Sequence, residues 1–151
     1  MVGKGGRGDA SKDNGGGGGA GAYGIKVISI VSGEVWTLTL GAGNGSISTF
    51  SNGTITLSLQ DGYNSYDYQG GFGGETVTNF DFGSNGGDGG DRAGNTGGTG
   101  GASFFGGGGY GAVALVAAAR PGKVYGSGGG GPSNYLAGAL GATGAVIVKR
   151  R

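Results

Sequence analysis

The sequence predicts an all-β protein: a small antiparallel β-hairpin core with packed glycine-rich, polyglycine II-like extended segments and no significant helix. Glycine supplies 45 of the 151 residues, a composition that disfavours helices. Segments rich in β-branched residues alternate as strands do. Only 2 prolines occur, which excludes a collagen triple helix. Together these features favour extended chain throughout.

The first strand signal lies in 22–43. Residues 25–31 read IKVISIV, a compact turn of Ser, Gly and Glu follows, and VWTLTL continues from position 35. This pattern predicts a β-hairpin whose two strands pair with each other. A second hairpin is predicted from 47–50 to 54–59, because Asn52 and Gly53 form the dipeptide favoured in tight hairpin turns.

Two further segments carry weaker signals. Residues 145–149 read AVIVK and predict the last strand. The alanine-rich run 112–119 has helical propensity but is flanked by glycine and Pro121, so helix and strand both remain open there. Residues 1–14 are small, charged and aperiodic. They predict an N-terminal arm held by a neighbouring subunit or partner, followed by one glycine-rich β domain over 15–151.

Glycine tracts separate the predicted strands, and some repeat glycine every third residue. An extended left-handed helix has three residues per turn and no internal hydrogen bonds, so this period leaves one face without side chains. Neighbouring backbones can then approach and bond to one another, which satisfies their amides and carbonyls. The glycines expected to be structural in this way form two registers: Gly94, Gly97 and Gly100, and Gly138, Gly141 and Gly144.

The missing residue types exclude most enzymatic chemistry. With no cysteine and no histidine, the chain lacks disulfides, a thiol nucleophile, and the commonest general base and zinc ligand. A net charge of +1 predicts neither a nucleic-acid partner nor attraction to a membrane surface. No apolar run is long enough for membrane insertion, and the polar start predicts no signal peptide. We therefore expect a non-enzymatic protein without cofactors.

One short motif is similar in sequence to a calcium-binding repeat. Residues 86–93 read GGDGGDRA, most of a calcium-binding nonapeptide repeat, with Asp88 and Asp91 as the candidate ligands. Such sites are built between stacked copies, and only one copy is present. A solvated acidic face is the other interpretation, and no metal site is predicted.

An aromatic segment, 63–82, is the best candidate for recognition. Tyr63, Tyr66 and Tyr68 lie among polar residues, with the Asp67 carboxylate beside them. Exposed tyrosines supply rigid contact area, and carboxylates accept hydroxyl protons. In an extended segment Tyr66 and Tyr68 would share one face. The alternative is that these rings cap a core with few large residues.

The order of elements resembles the glycine-rich domain at the ends of bacteriophage tail fibre and related virion proteins. The similar segments are GGGGGAGAYGIKVISIVSGEVWTLTLGAGNG (15–45), GGASFFGGGGYGA (100–112) and GALGATGAVIVKR (138–150). Residues 46–85 do not fit and form a variable, aromatic-rich insertion. The resemblance implies attachment to host surface structures through loops between polyglycine strands.

The resemblance implies a structural protein of a phage virion, in a tail fibre, spike or other surface position, acting in assembly or host attachment. The expected partners are other virion proteins, further copies of the chain with a trimer favoured by the resemblance, and a host surface glycan or protein. Localisation in the extracellular virion follows. The alternatives are a polyglycine-helix ice-binding protein, suggested by the row Thr96, Thr99 and Ala102, and a glycine-rich wall or matrix protein.

Overall fold

The fold is all-β in a computed structural model that describes residues 1–9, 14–75, 78–114, 116–134 and 136–149. No helix occurs among these residues. The strands are β1 (Tyr23–Ile25), β2 (Thr37–Thr39), β3 (Ile47–Ser51), β4 (Thr56–Gln60) and β5 (Phe82–Ser84). They form two small antiparallel sheets, β1-β5 and β2-β3-β4. The predicted all-β class, antiparallel and without helix, is confirmed for the described residues.

The second predicted hairpin is confirmed in β3 and β4. Its turn is closed by Asn52, whose Oδ1 accepts hydrogen bonds from the amides of Thr54 and Ile55 at 3.0 and 2.8 Å. Gly53 has a φ of +90°, which a residue without Cβ adopts without strain. The local turn chemistry therefore sets the register of this pair.

The first predicted hairpin is wrong. The turn after 31 forms, and the Glu34 amide bonds to the Val31 carbonyl at 3.2 Å, but the flanking strands diverge. β1 pairs with β5 instead, and β2 pairs with β3. Aromatic contacts accompany both pairings: Tyr23 meets Phe82 edge-on at 6.5 Å, and Trp36 stacks on Phe50 at 4.9 Å. Such cross-strand contacts outweigh proximity in sequence.

The predicted last strand is also wrong. Ala145 forms a bridge with Val2, but 146–149 have no backbone hydrogen bond within the described chain. The run 112–119 is neither helix nor strand in its described part. Val113 and Ala117 exchange amide–carbonyl bonds of 2.9 and 3.1 Å and close a turn. Glycine at position 111 and Pro121 leave too short a span for a helix.

The interior is built from glycine backbone rather than from side chains. Residues 15–22, here called the central tract, are buried throughout. Their amides donate in three directions, and every third amide goes to the same neighbouring segment, at 2.8–3.2 Å. Positions 15, 18 and 21 donate to carbonyls in 126–132; positions 16, 19 and 22 to 60–67; and positions 17 and 20 to 87–90.

The carbonyls of the central tract repeat with the same period. They accept amides of Gly98 and Gly101, of Gly71 and Gly74, and of three residues within 1–9. The central tract therefore has six hydrogen-bonded neighbours, and the period of three expected for glycine tracts is present in the bonds themselves. We call this assembly the glycine stack. In the stack, the backbone amides and carbonyls of a segment without side chains find hydrogen-bond partners in neighbouring segments.

The N-terminal residues are part of this stack and not a separate arm. Val2 is 1% exposed and bridges to both Tyr23 and Ala145. The amides of Gly3 and Gly6 donate to the carbonyls of Ala22 and Gly19. The expected arm over 1–14 therefore needs no second subunit to hold residues 1–9. Residues 10–13 of that arm lie outside the described residues.

Five of the six glycines expected to be structural lie against other backbones. A Cβ at Gly138, Gly141 or Gly144 would collide with the carbonyl oxygen of Asp9, Gly5 or Val2, respectively. Gly97 and Gly100 meet carbonyls of 128–132 in the same way. Gly94 differs from that expectation, because it lies in a turn with a φ of +55° and open space around it.

A buried carboxylate joins the three-stranded sheet to the stack. Asp61 follows β4 and is fully buried. Its oxygens accept the Lys4 amide at 2.8 Å, the Ser48 hydroxyl at 2.8 Å and the Gly43 amide at 3.1 Å. A buried carboxylate is tolerated when donors surround it in this way. Asp61 thereby fixes residues 41–48 onto the N-terminal segment.

The first prediction tests the close backbone packing. Gly141→Val should lower the free energy of unfolding by about 1–3 kcal/mol or more, because its side chain would overlap the Gly5 and Gly6 carbonyls. Gly107→Val is the matched control, since a Cβ at Gly107 meets nothing within 4 Å. Thermal and denaturant melting measure both. Equal stability of the two variants would contradict the packing of 138–144.

The second prediction tests the buried carboxylate. Asp61→Asn should lower the free energy of unfolding by roughly 1–3 kcal/mol, because an amide nitrogen replaces one carboxylate oxygen and leaves at least one of the three donors without an acceptor. Asp88→Asn is the control, since its carboxylate is exposed and accepts one amide. Urea unfolding of both variants gives the difference. A melting curve for Asp61→Asn that overlays that of the parent would refute the assigned role.

Candidate functional site

Four turns meet at one end of the glycine stack. They span 66–69, 93–96, 113–117 and 133–136, and positions 115 and 135 lie outside the described residues. They gather around the start of the central tract, where Gly15 bonds to Pro132 and Gly16 to Asp67. A bridge between Thr96 and Val113 joins two of the turns. We call this region the turn end.

The most protruding side chain at the turn end is Tyr66, which is 85% exposed. Its backbone closes a tight turn with Gln69 through reciprocal bonds of 3.3 and 3.1 Å. Asp67 occupies the left-handed region at φ +53°, and Tyr68 follows, half exposed. The expected extended segment with Tyr66 and Tyr68 on one face is therefore wrong. They occupy the first and third positions of a turn, so their backbones point in different directions.

Arg92 covers the ring of Tyr68. The guanidinium carbon lies 3.9 Å from the ring centroid, and the Arg92 amide donates to the Tyr68 carbonyl at 3.0 Å. A cation over an aromatic face is stabilising by about 0.5–1 kcal/mol at an exposed site. The sequence does not point to Arg92, because the motif at 86–93 suggests a function only for its two carboxylates. The pair gives the turn end a flat, cationic and partly aromatic surface.

The carboxylates of Asp88 and Asp91 are engaged by backbone amides. Asp88 accepts the Gly73 amide at 2.7 Å, and Asp91 accepts the Gly70 amide at 2.8 Å. The two aspartates face the same neighbouring tract, as their spacing of three predicts. No group of three or more possible metal-ligating side chains occurs within the described residues. The arrangement fastens one glycine tract to another and holds Arg92 at the turn end.

Tyr63 lies apart from the turn end. Its hydroxyl accepts the Gln60 Nε2 amide at 2.9 Å, and its ring lies against Gly45, whose φ is +75°. Its carbonyl accepts the Gly19 amide at 2.9 Å. The sequence grouped Tyr63 with Tyr66 and Tyr68 for recognition. The structure places Tyr63 at the junction between sheet and stack instead, with about a third of its surface exposed.

The opposite end of the stack carries an aromatic cluster of Tyr23, Phe82, Phe104, Phe105 and Tyr125. Tyr23 is buried at its centre and stacks on Phe104, with ring centroids 3.8 Å apart. Phe105 meets Tyr23 and Tyr125 edge-on at 5.6 and 6.3 Å. The other four rings are 39–57% exposed. An open groove of about 540 Å³ adjoins them, lined in part by Lys123 and Thr143.

No helix in the described ranges is long and apolar enough to cross a bilayer. Comparison with protein-family models, curated proteins and solved structures finds no match for this chain. The case for a function therefore depends on the residues and their geometry.

The third prediction concerns calcium. Because Asp88 and Asp91 already accept backbone amides, millimolar CaCl₂ should leave the melting temperature unchanged relative to EDTA. Asp91→Ala should lower stability by about 0.5–1.5 kcal/mol in both conditions, through loss of the bond to Gly70. Differential scanning calorimetry measures these effects. A calcium-dependent rise in the melting temperature that disappears in Asp91→Ala would reinstate the metal site.

Proposed function

We propose that this chain is a non-enzymatic structural protein of a phage virion surface, in a tail fibre, spike or comparable position. It acts in assembly and host attachment, and it contacts the host through the turn end. The observation that carries the proposal is that the scaffold and the exposed side chains lie in different parts of the fold. The glycine stack has no side chains to vary, whereas the turns at one end present Tyr66, Asp67, Tyr68 and Arg92 to solvent.

The scaffold supports recognition because it fixes both backbones that carry the site. The turn at 66–69 is attached to the central tract through the bond from Gly16 to Asp67. The segment leading to Arg92 is attached through Gly17, which bonds to Gly90. Rigid elements that hold short loops lower the entropic cost of binding. Two adjacent residues of the central tract, Gly16 and Gly17, thus hold the backbones that bring Tyr68 and Arg92 together.

The chemistry of the turn end suits a polar surface ligand. Tyr66 offers a nearly free ring for stacking, and the guanidinium of Arg92 offers planar donors. The Asp67 carboxylate is an acceptor for hydroxyl groups. A host glycan or a polar patch of a host surface protein presents matching groups. Neither nucleic-acid binding nor membrane insertion is part of the proposal.

A non-enzymatic role agrees with the composition. The chain has neither histidine nor cysteine, so the commonest general base and a thiol nucleophile are absent. The expected partners are other virion proteins, further copies of this chain and the host surface. The proposed localisation is the extracellular virion.

Ice binding is the alternative with one observation in its favour. Thr99 and Ala102 are exposed and one period apart on a glycine tract, as an ice-binding row requires. Thr96 does not extend that row as a free position, because its backbone bridges to Ala93 and Val113 at a turn. A row of two is short, so attachment is the better proposal. Thermal hysteresis in the purified protein would favour ice binding.

The fourth prediction tests attachment. The double variant Tyr66→Ala with Tyr68→Ala should lose binding of the labelled protein to whole bacterial cells, on a strain that the parent binds. The reason is removal of the exposed ring and of the platform beneath Arg92. Circular dichroism should be unchanged, because neither side chain is buried.

Tyr110→Ala is the matched control, since Tyr110 is 61% exposed and lies outside the four turns. It should bind cells like the parent. Undiminished binding by the double variant would make these tyrosines structural. A parent that binds no strain would leave a purely architectural role in the virion.

A further inference from the structure

Residues 27–31 read VISIV, a palindrome of β-branched residues around Ser29. The sequence predicts a strand here, yet no strand partner exists among the described residues. The side chains are accessible: Val27 is 62% and Val31 is 66% exposed. A strand-forming apolar segment without a partner is a site for pairing with another chain.

The hydrogen bonds at both ends of the palindrome identify which edge is free. The Val27 amide donates to Asp81 Oδ2 at 2.9 Å, and the Val31 carbonyl accepts the Glu34 amide at 3.2 Å. In an extended strand, successive residues direct their backbone groups to opposite edges. In such a strand Val27, Ser29 and Val31 share one edge, whose end residues already bond to Asp81 and to the turn at Glu34. The amides and carbonyls of Ile28 and Ile30 form the outer edge and have no partner in the described chain.

We propose that residues 27–31 pair antiparallel with the same segment of a second copy, about a twofold axis at Ser29. Ile28 of one copy then exchanges both backbone bonds with Ile30 of the other, which gives four bonds in all. Side chains of equal size lie opposite each other, because Val27 pairs with Val31 and Ile28 pairs with Ile30. Cross-strand β-branched pairs of this kind contribute about 0.2–1 kcal/mol each.

The exposed apolar surface around residues 27–31 is large enough for a second copy of the chain to bind there. Ile25, next to the palindrome, pairs with Phe82 of the aromatic cluster, so the exposed apolar surface is continuous. Four half-exposed rings of about 150–250 Å² each contribute roughly 400 Å². Exposed valines and isoleucines around the palindrome add to this. The sum approaches the 800 Å² or so that each partner buries in a standard interface.

This contact differs from the threefold symmetry that the virion resemblance favours. An edge that pairs with itself is satisfied by a twofold operation and closes at two copies. The interface lies at the end of the stack opposite the turns, and it leaves Tyr66 and Arg92 free in both copies. The inference therefore does not depend on the proposed attachment function.

A cysteine at the axis tests the pairing. The chain contains no cysteine, so Ser29→Cys introduces the sole thiol. In the proposed register Ser29 faces itself as a non-hydrogen-bonded pair, with Cα atoms about 4.5 Å apart. That separation lies within the range of disulfides. Oxidation with diamide should convert most of the protein to a covalent dimer on a non-reducing gel.

Val31→Cys is the matched control. Val31 is exposed, but its copies would lie four residues apart along the pair, roughly 13 Å, which is beyond disulfide reach. It should remain largely uncrosslinked under the same conditions. Equal crosslinking of both variants would indicate random collision and overturn the proposal. So would absence of crosslinking at position 29.

Sedimentation of the parent gives an independent measurement. We expect a dimer at micromolar concentration and a monomer for Ile30→Lys, which adds two like charges beside the axis. Circular dichroism of Ile30→Lys should match that of the parent, since Ile30 is half exposed. A parent that sediments as a monomer or a trimer would overturn the proposal, whether or not the chain binds cells.

Discussion

Backbone contact without side chains is the constraint on which the rest of this structure depends. Fixing a residue costs about 1–2 kcal/mol and more for glycine, while a hydrogen bond returns about 0.5–1.5 kcal/mol net. Each bond is shared between two residues, so the bonds of even a fully bonded glycine tract offset only part of that cost. Six neighbours around the central tract are therefore a necessity. The remaining stabilisation must come from the few large buried side chains, Val2, Tyr23, Leu57 and Leu59, at about 1.5–3 kcal/mol each.

This constraint forces large side chains out of the interior and toward the ends of the stack. Tracts that run back and forth must turn, and the turns are where a Cβ is allowed. One end gathers the four turns, with Tyr66, Asp67 and Arg92 exposed, and the other gathers the aromatic cluster and the palindrome. The two ends therefore differ in chemistry because different segments begin and end there.

Sequence reasoning succeeded where the determinants are local. Asn52 and Gly53 define a turn by their own conformations, and glycine every third residue defines a bare face whatever surrounds it. It failed where the pairing partner of a segment lies far away in the sequence. Residues 25–31 have the composition of a strand, but β1 took β5 as its partner, together with aromatic contacts to Phe82 and Phe104. The Tyr68–Arg92 contact was equally hidden, because it exists only when two tracts align in the stack.

The insertion over 46–85 shows how the stack accommodates new material. It supplies β3, β4, the buried Asp61 and the turn with Tyr66, so it is structural as well as exposed. Its backbone joins the stack through Gln60, Tyr63 and Asp67, three and four residues apart, whose carbonyls accept amides of the central tract. Only carbonyls are required at those positions, and any residue provides one. Two of the three donors, Gly16 and Gly19, must be glycine, because a Cβ there would collide with the carbonyls of Gln69 and Phe72; the third donor is Ala22. The stack thus requires glycine where backbones are in close contact, as at Gly16, Gly19 and Gly62, and requires only a carbonyl at positions 60, 63 and 67, so side chains such as tyrosine are tolerated at those three positions.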